Sequence, residues 1–226
     1  MLKIKIQRFD KNAKPQSWMQ EYTLSNSPDR LLQALQILKT QDTTLSFRSS
    51  CQEGVCGSDA MNVNGKNLLA CITKVKDLGN EITIRPMPGL PVLRDLIVDM
   101  EPFYAAYKKI KPYLVKNSKN PKKENLQSPK ERKKLDGLYE CIMCGACTTS
   151  CPSYWWNPEK FLGPQALLKV NRFLVDSRDE NTKERLNQLD DANSVYKCRT
   201  IMSCVDACPK KLNPTKAISN IKKELI

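Results

Sequence analysis

The sequence contains no histidine. That absence excludes a Ser–His or Cys–His catalytic pair, a His-ligated zinc or haem, and a Rieske centre with its two imidazole ligands. It also lacks any apolar run of about 18 residues, so no segment is expected to span a bilayer. The first residues, Met-Leu-Lys-Ile-Lys-Ile-Gln, alternate apolar and polar. They have neither the apolar core of a secretory signal nor the Arg- and Ser-rich character of a transit peptide, which implies a bacterial or organelle-encoded protein. With no route to an oxidising compartment, the ten cysteines among 226 residues point to metal rather than disulfides.

What is present in excess is positive charge, formally +13. Such a balance can serve nucleic acid or anionic lipid. Bound iron, sulfide and thiolate charges belong in the sum, however, and with the cluster complement derived below they bring it to about +8.

The first hundred residues read as mixed β with one helix. Lys3–Arg8 alternates as a half-buried strand, Gln20–Leu24 is a second strand, and Glu81–Arg85 is another that stops at Pro86. Ser25–Asp29 is a turn and helix start, followed by Leu31, Leu32, Leu35 and Leu38 at helical spacing to about Thr40. Met87–Pro91 is a rigid connector. From Val92 to Lys111 the apolar spacing predicts helix, broken or restarted at Pro102. Residues 112–134, rich in Lys, Asn, Pro and Ser, read as a solvated linker rather than a binding patch. The expected organisation is residues 1–100, a connecting helix and basic linker over 101–134, and a helical domain over 135–226.

Cys141, Cys144, Cys147 and Cys151-Pro152 form C-x2-C-x2-C-x3-C-P, the bacterial-ferredoxin cluster run. Closely spaced thiolates on one loop can converge on a cubane. Zinc would use four cysteines too, but explains neither the terminal Cys-Pro nor a second copy. That copy is Cys198, Cys204 and Cys208-Pro209, with Ile201 where a cysteine is expected. In two-cluster ferredoxins the fourth cysteine of each run ligates the other cluster. The swap assigns Cys141, Cys144, Cys147 and Cys208 to a [4Fe–4S] cluster. Cys151, Cys198 and Cys204 remain, and three thiolates with Ile201 at the vacant corner favour a [3Fe–4S] cluster.

In the N-terminal half, Cys51, Cys56 and Cys71 stand in C-x4-C-x2-D-x11-C. This is the plant-type [2Fe–2S] spacing with Asp59 at the third position, where a carboxylate can ligate iron. Ser58 or water is the alternative ligand. Gly54 and Gly57 let the backbone wrap closely round a cluster. The fold class is therefore α+β: an N-terminal β-grasp plant-type ferredoxin domain followed by an all-helical bacterial-type ferredoxin domain.

The combination resembles the iron–sulfur subunit of succinate dehydrogenase and fumarate reductase over essentially the whole chain. The matching stretches are Arg48–Asp59, Asn64–Asn67, Asp136–Cys141 and Cys151–Pro158. Some bacterial members of that family also carry Asp at the third [2Fe–2S] position. The resemblance implies an electron relay. A partner flavoprotein oxidises succinate at FAD, and electrons pass through the [2Fe–2S], [4Fe–4S] and [3Fe–4S] clusters to ubiquinone beside membrane-anchor subunits. It implies a peripheral location on the cytoplasmic face of the bacterial inner membrane, or the matrix face in mitochondria, and no nucleic-acid partner.

Adjacent Trp155 and Trp156 would ordinarily be local packing. The resemblance instead matches Pro152, Trp155, Trp156 and Ile201 to positions lining a ubiquinone pocket. Lys222 matches a lysine near that pocket, though a solvated C-terminal lysine fits equally. Arg199 stands where the family commonly has His; a guanidinium can pair with a haem propionate but cannot shuttle a proton at neutral pH. Three other readings stay open: a fumarate-reducing relay, a free two-domain ferredoxin, and a basic zinc-stapled interaction protein.

Overall fold

The N-terminal alternation becomes strand β1, Leu2–Phe9, in a computed structural model that describes residues 1–116 and 124–226. Strand β2, Ser17–Leu24, pairs with β1 antiparallel and starts earlier than its apolar pattern suggests. Helix α1, Leu31–Gln41, buries Leu31, Leu32, Ala34, Leu35 and Leu38, the stripe its spacing predicts. Strands β3, Ala60–Val63, and β4, Lys66–Leu69, form a hairpin. Its turn is Asn64-Gly65, both with positive φ (49° and 84°), a pair that marks such hairpins. Strand β5, Glu81–Arg85, runs parallel to β1 and antiparallel to β3. The sheet order β2-β1-β5-β3-β4, with a helix between its two hairpins in sequence, is a β-grasp arrangement.

Residues 92–100 are not helical, contrary to their apolar spacing. Strands β6, Val92–Arg94, and β7, Ile97–Val98, form a small hairpin turning at Asp95, whose φ is 45°. A distant partner set decides this. Asp95 accepts hydrogen bonds from Arg8 Nε, the Phe9 N–H and the Ser46 N–H at 2.8–3.0 Å. Helix α2 spans only Glu101–Lys109. Pro102 lies in its first turn, where its missing N–H costs nothing, so it starts the helix rather than interrupting it.

Contacts divide the described residues into two units, 1–100 with 142–150 and 101–141 with 151–226. The first therefore includes a segment that the motif reading places in the helical domain. The second holds α2, then α3 (Pro129–Lys133), with α4 (Ala146–Thr149) belonging to the first unit. It continues with α5 (Pro152–Trp156), α6 (Gly163–Leu174), α7 (Thr182–Asn187), α8 (Ser203–Asp206) and α9 (Pro214–Glu224). Helix α6 is buried on nearly every face and packs against α9.

The solvated-linker reading of 112–134 falls partly on residues 117–123, outside the described residues. On either side the chain is tied down. Arg185 donates to the carbonyls of Ile110, Lys111 and Tyr113, and Asp179 accepts the Val115 N–H. Ser128 and Glu131 close a capping box on α3. No helix among the described residues is long and apolar enough to cross a membrane.

Candidate iron–sulfur sites

The first loop follows α1 and runs into β3. Its backbone takes left-handed conformations at Gln52, Gly54 and Gly57 (φ 63°, 69° and 71°), which curl the chain around Cys51 and Cys56. The Glu53 and Cys56 N–H groups donate to Cys51 Sγ at 3.4 and 3.3 Å. Donors of this kind stabilise a thiolate and tune any metal it binds. Burial would raise the Cys56 thiol, but the Ser58 hydroxyl, 3.2 Å away, and nearby N–H groups outweigh it and bring it to about 7.

Cys71 arrives from the other side, beyond β4. Its segment is pinned by the start of α1: the Leu31 and Leu32 N–H groups donate to the Thr73 and Ala70 carbonyls, and Arg30 to the Ile72 carbonyl. Burial and the Asp59 carboxylate push its thiol up to about 12. Asp59 itself is 2% exposed. One oxygen, Oδ2, accepts the Cys71 N–H, while the buried Oδ1 has no hydrogen-bond partner. A buried carboxylate oxygen left unpaired beside Cys71, in the same loop as Cys51 and Cys56, is a donor that a metal centre would complete. The residues present fit a two-iron cluster.

The two ferredoxin-type runs share a backbone. Met143 and Gly145 flank Cys144 with φ of 56° and 79°; Thr200 and Met202 flank Ile201 with φ of 58° and 69°. A one-turn helix follows each, Ala146–Thr149 and Ser203–Asp206, at the same offset of the repeat. Left-handed Thr and Met are strained, yet the loop around Ile201 takes the same bend as the loop around Cys144.

Cys144 and Cys147 belong to the first unit. In the second, Cys141 and Cys208 both pack against the buried cluster of Leu138, Leu168, Leu212 and Ala217. The Leu212 N–H donates to Cys208 Sγ at 3.3 Å. Lys169, 7% exposed, directs its ammonium at the Leu138, Tyr139 and Cys141 carbonyls (3.3–3.5 Å). Burial lowers its pKa, and the neighbouring Cys141 opposes that shift.

Cys151, Cys198 and Cys204 line one pocket together with Pro152, Arg199 and Ile201. Burial raises the Cys151 and Cys204 thiols, and Thr215 Oγ1 lies 3.3 Å from Cys204 Sγ. Lys222 Nζ donates to the Cys198 carbonyl at 3.1 Å, so this lysine is anchored rather than purely solvated. Trp155 and Trp156 do not line the pocket; they stand on α5 directly after it, and Trp156 is 73% exposed. Lys169 and Thr215 carry no spacing signal and are visible only in the structure.

Among the described residues, no three Cys, Asp or Glu side chains close tightly enough to share a single metal ion. In a cluster the protein ligands are shared among two or more irons, so its donors spread further apart than those of one zinc.

Residues 3–105 match a family described as a 2Fe-2S iron-sulfur cluster binding domain, and residues 133–209 a 4Fe-4S dicluster domain. The chain is 55% identical to the succinate dehydrogenase iron-sulfur subunit of Coxiella burnetii, over 98% of this chain and 95% of the relative. It is 51% identical to the subunit of that name from Paracoccus denitrificans, over 87% and 76%. A chain of the Mycobacterium smegmatis Sdh1 complex in the apo form shares the fold with a TM-score of 0.88 at 23% identity, covering 99% of this chain and 95% of that one.

Proposed function

The chain belongs to the family of succinate dehydrogenase iron–sulfur subunits, and from that premise we propose which residues hold each redox centre and where electrons leave. Cys51, Cys56, Asp59 and Cys71 hold a [2Fe–2S] cluster; Cys141, Cys144, Cys147 and Cys208 a [4Fe–4S] cluster; Cys151, Cys198 and Cys204 a [3Fe–4S] cluster. When bound, these groups supply stepwise one-electron transfer.

The protein's own contribution is ligation, shielding and charge. N–H donors at Cys51 and Cys208 and the buried ammonium of Lys169 offset thiolate charge and favour the reduced state of the adjacent centre. The apolar shell around Cys141 and Cys208 keeps water from that side. Asp59, buried and with one oxygen unpaired, is better placed to ligate than Ser58, whose hydroxyl already faces Cys56 Sγ.

A flavoprotein subunit bearing FAD is the donor partner, and membrane-anchor subunits receive the opposite end. The chain is a peripheral subunit on the cytoplasmic face, or the matrix face, of an energy-transducing membrane. Ubiquinone meets it near Pro152, Ile201 and Arg199, with the exposed Trp155 and Trp156 as the apolar shoulder and Lys222 steadying Cys198. Arg199 contributes fixed positive charge there, not proton transfer.

The observation that carries this reading is the pocket in which Cys151, Cys198 and Cys204 surround a loop bent as in the intact repeat but bearing Ile201. Low-temperature EPR of the anaerobically purified complex tests it. A three-iron signal in the oxidised state, lost on reduction, and a two-iron signal appearing on reduction are expected. A colourless, EPR-silent preparation containing zinc would overturn it.

A further inference from the structure

Gly57 touches the other motif. An ideal Cβ placed on it would lie 2.6 Å from the Cys144 Cβ, 2.8 Å from its Cα and 3.2 Å from its backbone nitrogen. No side-chain carbon approaches that closely, and the obstacle is the Cys144 Cβ with its backbone, which cannot swing aside as a flexible side-chain tip can. The loop that carries Cys51 and Cys56 is therefore in direct contact with the loop that carries Cys144 and Cys147, at a residue with no side chain.

A second, independent feature holds the same two pieces together. Asn67 on β4 is 5% exposed. Its Nδ2 donates to the Ala146 carbonyl at 3.3 Å and to Thr149 Oγ1 at 2.9 Å, while its Oδ1 accepts from Asn62 Nδ2 at 2.8 Å. Thr149 Oγ1 also reaches the Gly145 carbonyl at 2.9 Å, so the clamp spans both ends of α4. A buried amide using its carbonyl and both bonds of its NH2 group fixes position as well as contact.

We propose that Gly57 is a positioning residue, with Asn67 as its clamp: together they set the separation between the centre at Cys51, Cys56, Asp59 and Cys71 and the centre that takes Cys144 and Cys147. The inference rests on the cluster assignments above. Electron tunnelling falls steeply with distance, so a contact made closer by a missing Cβ serves transfer between these two centres. Gly54, by comparison, would meet only the Ile72 side chain and no backbone.

The test uses the purified, cluster-loaded complex and compares Gly57→Ala, Asn67→Ala and Gly79→Ala with the parent. Gly79 has a φ of 83° and nothing within 4 Å of an added Cβ, so it reports backbone strain alone. The readout is the magnetic interaction between the two centres in fully reduced samples: broadening and faster spin relaxation of the two-iron signal, both of which weaken with distance.

Gly57→Ala is expected to retain both signals but lose much of this interaction and to slow re-equilibration of electrons between the centres. Gly79→Ala should match the parent. Parent-like interaction in a loaded Gly57→Ala sample sinks the proposal. If Gly57→Ala does not load, Asn67→Ala decides: weakened interaction supports the clamp and unchanged interaction overturns it. A parent lacking either signal would instead refute the cluster assignment itself.

Discussion

The Cys71 N–H donates to Asp59 Oδ2 at 2.5 Å, tying together the third and fourth positions of the plant-type motif. The carboxylate is thus oriented by backbone twelve residues away in sequence, and its second oxygen is left buried without a partner. Asp59→Ala is expected to lose most of the two-iron signal and the corresponding iron and acid-labile sulfide. Asp59→Cys should keep the cluster with an altered EPR spectrum. A full signal in Asp59→Ala would assign the ligand to Ser58 or water.

The loop around Ile201 takes the same bend as the loop around Cys144, with Thr200 and Met202 at φ of 58° and 69°. Ile201→Cys should therefore add about one iron per chain and convert the three-thiolate site to four. The oxidised three-iron signal should disappear. Its persistence, with iron content unchanged, would mean that the loop cannot present a ligand at this position.

Lys169 places a buried cation against the Cys141 carbonyl. A reduced centre carries one more negative charge, which this cation stabilises. Lys169→Met should lower the midpoint potential of the centre at Cys141, on the scale of about 59 mV, a tenfold change in a one-electron equilibrium. Lys169→Arg should restore most of it. Potentiometric EPR titration reads the shift, and an unchanged potential in Lys169→Met would reduce the residue to packing.

Asp179 and Arg185, both buried, bond through two contacts of 2.8 and 3.1 Å. Burial alone would raise the Asp179 carboxyl, but Arg185 and the Val115 and Asn181 N–H groups outweigh it and hold the pKa below the usual range. Because the folded pKa is depressed, its stabilisation is complete above the unfolded carboxylate value and is lost as pH falls through the lower, folded one. Asp179→Asn leaves Arg185 buried without its counter-charge, costing about 3–5 kcal/mol. Chemical unfolding at neutral pH should show that loss, and the difference from the parent should shrink in acid.

Local pattern alone determined much of this protein. Covalent spacing brings motif cysteines onto one loop wherever that loop lies, so the cysteine runs and the replacement at Ile201 could be read directly. Strand Glu81–Arg85 and the buried stripe of α1 were equally legible, because periodicity reports which face is apolar. The hairpin at Asn64-Gly65 had a turn signal that apolar periodicity passes over.

Other features were decided only in three dimensions. Arg8 continues the inward face of Leu2, Ile4 and Ile6, yet it is buried because Asp42 and Asp95 meet it there. Residues 92–100 abandon helical spacing because Asp95 binds β1, 87 residues away from its Arg8 partner. The loop with Cys144 and Cys147 joins the first unit through Asn67 and Gly57. In each case the deciding energy comes from burying a polar group or excluding a Cβ against a partner distant in sequence, and no local window contains both members of such a pair.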